Sequence, residues 1–261
     1  MKKEFTTKLF GTAFTIFIFA AAAAAQGWGS PNAYGYNTGY GTVYGTFQHA
    51  ALMQSMYNVT RCAQLNCAGR SSSAQQPGKA AAPSARPAPA VVRNYGVFRP
   101  DATVDTGQLM AESLGSSAEE KALIKQIYAA TKAGYDKEAA AKGWKNNIAG
   151  GLTFFTVAAI TIYHDTAEPD TPSVDDYFKT LNAAIDGIPE FASVPNKDKQ
   201  SFNNMMIGFG GLLLATYTEG KQNKHPETVA SARKLAGMLL EMVLKADPEK
   251  MQIEGGKIVL K

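Results

Sequence analysis

The sequence predicts an all-α protein: a five-helix bundle with two apolar central helices, preceded by a disordered arm and closed by a small C-terminal β-hairpin. Three observations predict it. Apolar residues recur at helical spacing in three amphipathic stretches after Asp105. Two further stretches carry no charge on any face, and they and the amphipathic stretches need each other for cover. Before Asp101 the composition turns to Gly/Tyr and then Ser/Pro/Ala, which buries too little apolar surface to offset the entropy of ordering the chain.

Taken in order, the chain opens MKKEFTTKLFGTAFTIFIFAAAAAAQ, with Lys2, Lys3 and Lys8 ahead of an uncharged run that ends in alanines. This is the layout of a secretory signal peptide over residues 1–25, cut before Gln26, and it places the mature protein in the periplasm or outside the cell. No Cys stands at the cut, so a lipoprotein anchor is not expected.

Residues 26–100 form a basic arm. They contain no Asp or Glu, against Arg61, Arg70, Lys79, Arg86, Arg93 and Arg99, a charge of +6. Residues 101–261 hold 17 Lys plus Arg and 21 Asp plus Glu, a charge of −4, so a mildly basic whole conceals a basic arm on an acidic domain. Three tetrads start at Tyr36, Tyr40 and Tyr44, each with Thr in its third place. Leu52, Met53, Met56 and Tyr57 follow at the spacing of one short helix. Cys62 and Cys67 are the only cysteines, and an oxidising compartment makes a local disulfide the default. Closing so small a ring restricts the unfolded chain by about 2 kcal/mol. A metal site would need ligands beyond His49, and a haem attachment would need a closer Cys pair with a following His. The arm then ends in a Ser/Pro/Ala linker.

In the acidic domain, Ser117 with Glu120 three places on is a capping box, followed by Leu123, Ile124, Ile127, Tyr128 and Tyr135 along one face. Ser173 and Asp176 open another helix, with Val174, Tyr177, Phe178, Leu181, Ile185 and Ile188 as its stripe and Gly187 and Pro189 as its stop. Pro226 opens the last, which ends at Asp247-Pro248. The uncharged stretches are NNIAGGLTFFTVAAITIY from Asn146 and NNMMIGFGGLLLATY from Asn203, alike in their Asn pairs, glycines and closing Tyr. The longer has 16 residues between Ile148 and Tyr163, about 24 Å of helix, where a membrane span needs about 20. Both are therefore read as core helices, and no membrane span is expected after signal cleavage. Gly255-Gly256 between β-prone runs predicts the hairpin.

The run GWKNNIAGGLTFF, the YHD that follows, the IPEF break, GGLLLATY and ADPEKM together resemble a family of secreted bacterial helical proteins catalogued only as a domain of unknown function. The resemblance covers about residues 105–260 and leaves the arm outside. It implies a fold and an address and brings no activity.

Chemistry is sparse. No Gly-x-Ser-x-Gly, no supported Ser-x-x-Lys and no phosphate loop is present, no catalytic residue is assigned, and no metal or cofactor is expected. The carboxylates after His164 lack the order of an EF-hand. The polar residues of interest are Asn146, Asn147, His164, Asp165, Asn203 and Asn204, read either as caps and a helix-end cation or as a polar pocket at one end of the bundle. For the arm, Arg61, Arg70, Arg86, Arg93 and Arg99 suit bidentate contacts with carboxylate or phosphate, and Tyr36, Tyr40 and Tyr44 offer stacking faces. The expected function is a non-enzymatic secreted or periplasmic interaction protein. Its domain docks a partner protein and its arm meets an anionic envelope component, nucleic acid being poorly matched to that compartment. An enzyme or small-ligand binder using the polar pocket, and a membrane-inserting hairpin, are the alternatives. Intact-mass measurement of the exported protein should give a chain starting at or near Gln26; full-length protein held in the cytoplasm would refute the secretory reading.

Overall fold

A computed structural model of the chain describes residues 93–245, 247–254 and 257–261. The signal peptide, the tyrosine tetrads, the cysteine pair, and Arg61, Arg70 and Arg86 lie outside the described residues. Within them the protein is mostly helical, with one small two-stranded antiparallel sheet.

Among the described residues six α-helices are present where five were expected: α1 (Thr106–Leu114), α2 (Ala118–Lys142), α3 (Ile148–His164), α4 (Thr171–Asp186), α5 (Asn196–Gln222) and α6 (Pro226–Leu244). The additional helix, α1, has only nine residues, too few for a periodic pattern to stand out. It forms because Asp105 Oδ1 accepts the Gln108 N–H at 2.9 Å and because Met110 and Ala111 are fully buried. Ser117 and Glu120 make both halves of the capping box that opens α2, and Gly143, at φ 73°, closes it in the left-handed conformation that glycine tolerates. The start of α4 needs correcting. The cap is Asp170, whose carboxylate accepts the Ser173 N–H at 2.8 Å, so Ser173 is the donor inside the first turn and the helix begins two residues before it. Helix α6 starts with Pro226 in its first turn. Short 3₁₀ turns at Pro189–Ser193 and Pro248–Lys250 connect elements, the first burying Phe191 completely.

Helix α5 begins seven residues earlier than its apolar run, so Asn203 and Asn204 lie inside it and cannot cap it. Its first two turns, NKDKQSF, look solvent-facing in sequence, yet Lys199 and Gln200 are buried there. What covers this end is a strap of residues 93–101. Gly96 and Phe98 turn inward and are buried, whereas Val97 and Arg99 turn outward. The strap is held by side chains of α4 and α5: Asp186 accepts the N–H groups of Arg93 (3.1 Å) and Tyr95 (2.8 Å), Asn196 that of Arg99 (3.1 Å), and Gln200 exchanges two hydrogen bonds with Asp101 (2.5 and 3.0 Å). The last eight residues of the expected disordered arm, from Arg93 to Pro100, are thus built into the folded unit.

Helix α3 lies at the centre, packed against α4, α5 and α6. Thirteen of its 17 residues are buried, which no peripheral helix could manage. Gly151 meets Asn203 and Asp165 meets Tyr217, each pair 52 residues apart, so α3 and α5 run in the same direction. The approach is close: a Cβ on Gly151 would come within 2.8 Å of the Asn203 backbone oxygen, and one on Gly210 within 2.6 Å of the Phe154 ring. No helix among the described residues is long and apolar enough to cross a membrane. The apolar stretches are buried by neighbouring helices instead. The hairpin pairs β1 (Met251–Glu254) with β2 (Lys257–Leu260), Glu254 opposite Lys257.

Because the obstacle at Gly151 is backbone as well as side chain, Gly151→Ala should lower stability by about 1 to 3 kcal/mol, the usual range for overpacking. Urea unfolding followed by circular dichroism checks this; an unchanged midpoint would show that the α3–α5 contact is looser than described.

Candidate functional site

The six polar residues singled out in the sequence do not meet at one place. Asn146 and Asn147 precede α3 and His164 and Asp165 end it, so 17 residues of helix, about 25 Å, separate the two groups. Asn203 and Asn204 belong to the first group.

At the start of α3 the chemistry is that of a helix terminus inside a protein. The first N–H groups of a helix have no partner within it and must find one when buried. Here the Ile148 N–H donates to the Gly96 carbonyl (3.0 Å), Ala149 to Asn147 Oδ1 (3.0 Å), Gly150 to the Asn147 carbonyl (2.9 Å) and Gly151 to Asn203 Oδ1 (3.1 Å). The amide of Asn147 also donates to Asn182 Oδ1 at 2.7 Å. Asn146, at φ 57°, turns its carbonyl to the Phe98 N–H (2.9 Å). Asn204, next to Asn203 in α5, is also buried. With the terminal N–H groups taken, this end has none left to cradle an anion.

The other end gathers charge. Asp165 closes α3 at φ 54° and receives Tyr217 Oη–H and Lys221 Nζ, the latter within 2.7 and 2.9 Å of its two oxygens. Lys221 also lies 5.3 Å from the Tyr217 ring centre. The Lys221 hydrogen bond, and after it that of Tyr217, holds the Asp165 carboxyl below its ordinary pKa. Lys221 is raised by the same contact. Burial, then the Asp165 hydrogen bond, raises Tyr217. Tyr163 donates to Glu249 Oε1 at 2.5 Å, which pushes its phenol up to about 12. Arg233 Nε donates to the Tyr163 carbonyl at 2.9 Å. Nε2 of His164 faces two carbonyl oxygens, Met251 at 2.5 Å and Pro248 at 3.2 Å. Carbonyls only accept, so the proton sits on Nε2 and the ring acts as a donor that clasps the hairpin to α3.

These groups can orient and neutralise one another. The phenols of Tyr163 and Tyr217 stay protonated far above neutral pH, and Asp165 stays ionised against Lys221. Tyr217, Lys221, Glu249, Asn182 and Gln200 were not singled out in the sequence. The one local signal was Tyr217 with Lys221 a helical turn later, where both can reach a single acceptor.

A family model described as "Family of unknown function (DUF6683)" matches residues 6–261. The chain belongs to this family. The match corrects the extent read from the sequence, which left the arm outside: the family pattern takes in residues 6–104 as well as the helical domain. No curated protein and no solved structure matches the chain. Family membership therefore brings a shared pattern from arm to hairpin, and the chemistry has to be read from the residues.

A carboxyl with a depressed folded-state pKa stabilises the fold above its unfolded value, near 3.9, and loses that contribution as pH falls through the folded value. Lys221, with a raised value, contributes below its unfolded value near 10.4 and is lost as pH rises beyond it. The wild type should therefore exceed Asp165→Asn in unfolding midpoint between about pH 4 and pH 10, and the two should converge at either extreme. A constant difference across that range would show that Asp165 acts by shape and not by charge.

Proposed function

We propose that the protein is a secreted or periplasmic interaction protein without catalytic activity, whose basic arm contacts an anionic component of the cell envelope while the helical domain docks a partner protein. Residues 1–25 serve as the export signal, and a Cys62–Cys67 disulfide staples the arm. The observation that carries this reading is the separation of charge, +6 over residues 26–100 against −4 over residues 101–261. Screening acts over about 8 to 10 Å at ordinary ionic strength, so a cation-rich arm can engage a surface that repels the acidic domain. The root of the arm supports it. Arg93 and Arg99 have their backbones pinned to Asp186 and Asn196 while their side chains are exposed. At the two ends of α3 the terminal N–H groups are engaged and Asp165 is paired with Lys221, so this reading assigns binding to the arm and to other faces of the domain.

The mature chain should bind immobilised anionic polymer and envelope fractions, and added salt should weaken that binding. Changing Arg61, Arg70, Arg86, Arg93 and Arg99 to Gln should remove most of the salt-sensitive part. Changing Tyr36, Tyr40 and Tyr44 to Ser should instead lower what persists at high salt, since ring stacking is not a charge effect. Unchanged retention of the arginine variant would reduce the arm to a tether.

A further inference from the structure

We infer that the outer face of the strap is a docking surface for anionic lipid headgroups, continuous with the arm; the inference rests on the reading of the arm as an anion-binding element and assigns it a fixed footing on the domain. Val97 is the one large hydrophobic side chain exposed among the described residues, at 43 %. It sits in an extended segment bridged to Asn147, so its outward direction is set by Gly96 and Phe98 on either side packing inward. Four exposed cations lie in the strap or next in the chain to residues that bond it. Arg93 and Arg99 come from the strap itself. Lys145 adjoins Asn146, whose carbonyl receives the Phe98 N–H, and Lys197 adjoins Asn196, whose side chain receives the Arg99 N–H.

None of the four is in a salt bridge among the described residues, although Lys121, Lys132, Lys142 and Lys221 each pair with a carboxylate elsewhere on the domain. The acidic groups nearest in the chain to the strap and to the residues that hold it are Asp101, Asp186, Glu190 and Asp198. Asp186 is occupied by two strap N–H groups and Asp101 by Thr103, with Lys197 in its field. The guanidinium of Arg93 lies over the Tyr95 ring, 5.9 Å from its centre, and keeps its charge. The domain as a whole is acidic, so cations without a carboxylate partner at the root of the arm form a local reversal of sign. A basic segment with an apolar tip fits the boundary of an anionic bilayer, where cations meet phosphate and the apolar group enters beyond it. An acidic soluble polymer would use the cations and leave Val97 without a role.

The test is co-sedimentation of the whole mature chain with vesicles of equal parts phosphatidylcholine and phosphatidylglycerol, beside vesicles of phosphatidylcholine alone. Binding to the anionic vesicles alone is expected. Each cation removed in Lys145→Gln and Lys197→Gln should weaken it about fivefold, and Val97→Ser should lower the part that survives high salt. These side chains are exposed, so circular dichroism should be unaltered. Wild-type binding by the lysine double variant would overturn the surface, as would binding to soluble dextran sulfate without binding to vesicles. A separate variant with Arg61, Arg70 and Arg86 changed to Gln distinguishes the two readings: if it binds like wild type while the lysine variant does not, the arm reading fails and the strap face stands.

Discussion

An uncharged helix can occupy the middle of a protein only if its first N–H groups find acceptors there, and that requirement organises this fold. The start of α3 is served by Gly96 from the strap, by Asn147 from its own cap and by Asn203 from α5. These acceptors belong to segments far apart in the chain. An unmade bond of this kind costs about 1 to 3 kcal/mol when buried, so α3 cannot settle until the strap and α5 are both in register. Gly151 follows from the same constraint, because the Asn203 amide must come close enough to bond the backbone of α3.

The opposite end meets the complementary need, since helix carbonyl ends favour cations. Parallel packing brings the ends of α3 and α5 together, and Lys221, Arg233 and the donor His164 collect there. Asp165 then keeps Lys221 in place. The two ends of one helix thus differ in kind: amide caps in a dry setting at the start, and an exposed ion-paired clasp at the finish. A polar pocket uniting Asn146, Asn203, His164 and Asp165 is ruled out by helix length alone.

Periodicity made α2, α4 and α6 legible, the uncharged run marked α3, and the local signals Ser117 with Glu120 and Gly255-Gly256 placed the capping box and the hairpin. It failed where burial depends on a distant partner. The first turns of α5 read as surface because nothing local reveals that residues 93–101 will cover Lys199 and Gln200. The strap itself, NYGVFRP, is too short and too polar to announce packing, and its acceptors Asp186, Asn196 and Gln200 lie about 90 to 100 residues away. The Asn pairs show the same limit. Their sequence echo implied equivalent roles, yet Asn147 caps a helix and Asn203 bonds sideways from inside one. Asp165 with Tyr217 and Lys221 depends on α3 and α5 being parallel, and a one-dimensional pattern carries no direction.

The strap also has a mechanical meaning. If residues before Arg93 are held by a surface while the domain is pulled away, the load enters at Arg93 and is borne first by Asp186 on α4. It then passes to Ile148 and Asn146 at the head of α3, and last to Asn196 and Gln200 on α5. Tension on the arm is thus shared among three helices before it reaches the core, and the attachments meet it in sequence. The first to yield would be the pair of bonds to Asp186, which can re-form once the pull ceases, leaving the head of the central helix closed throughout.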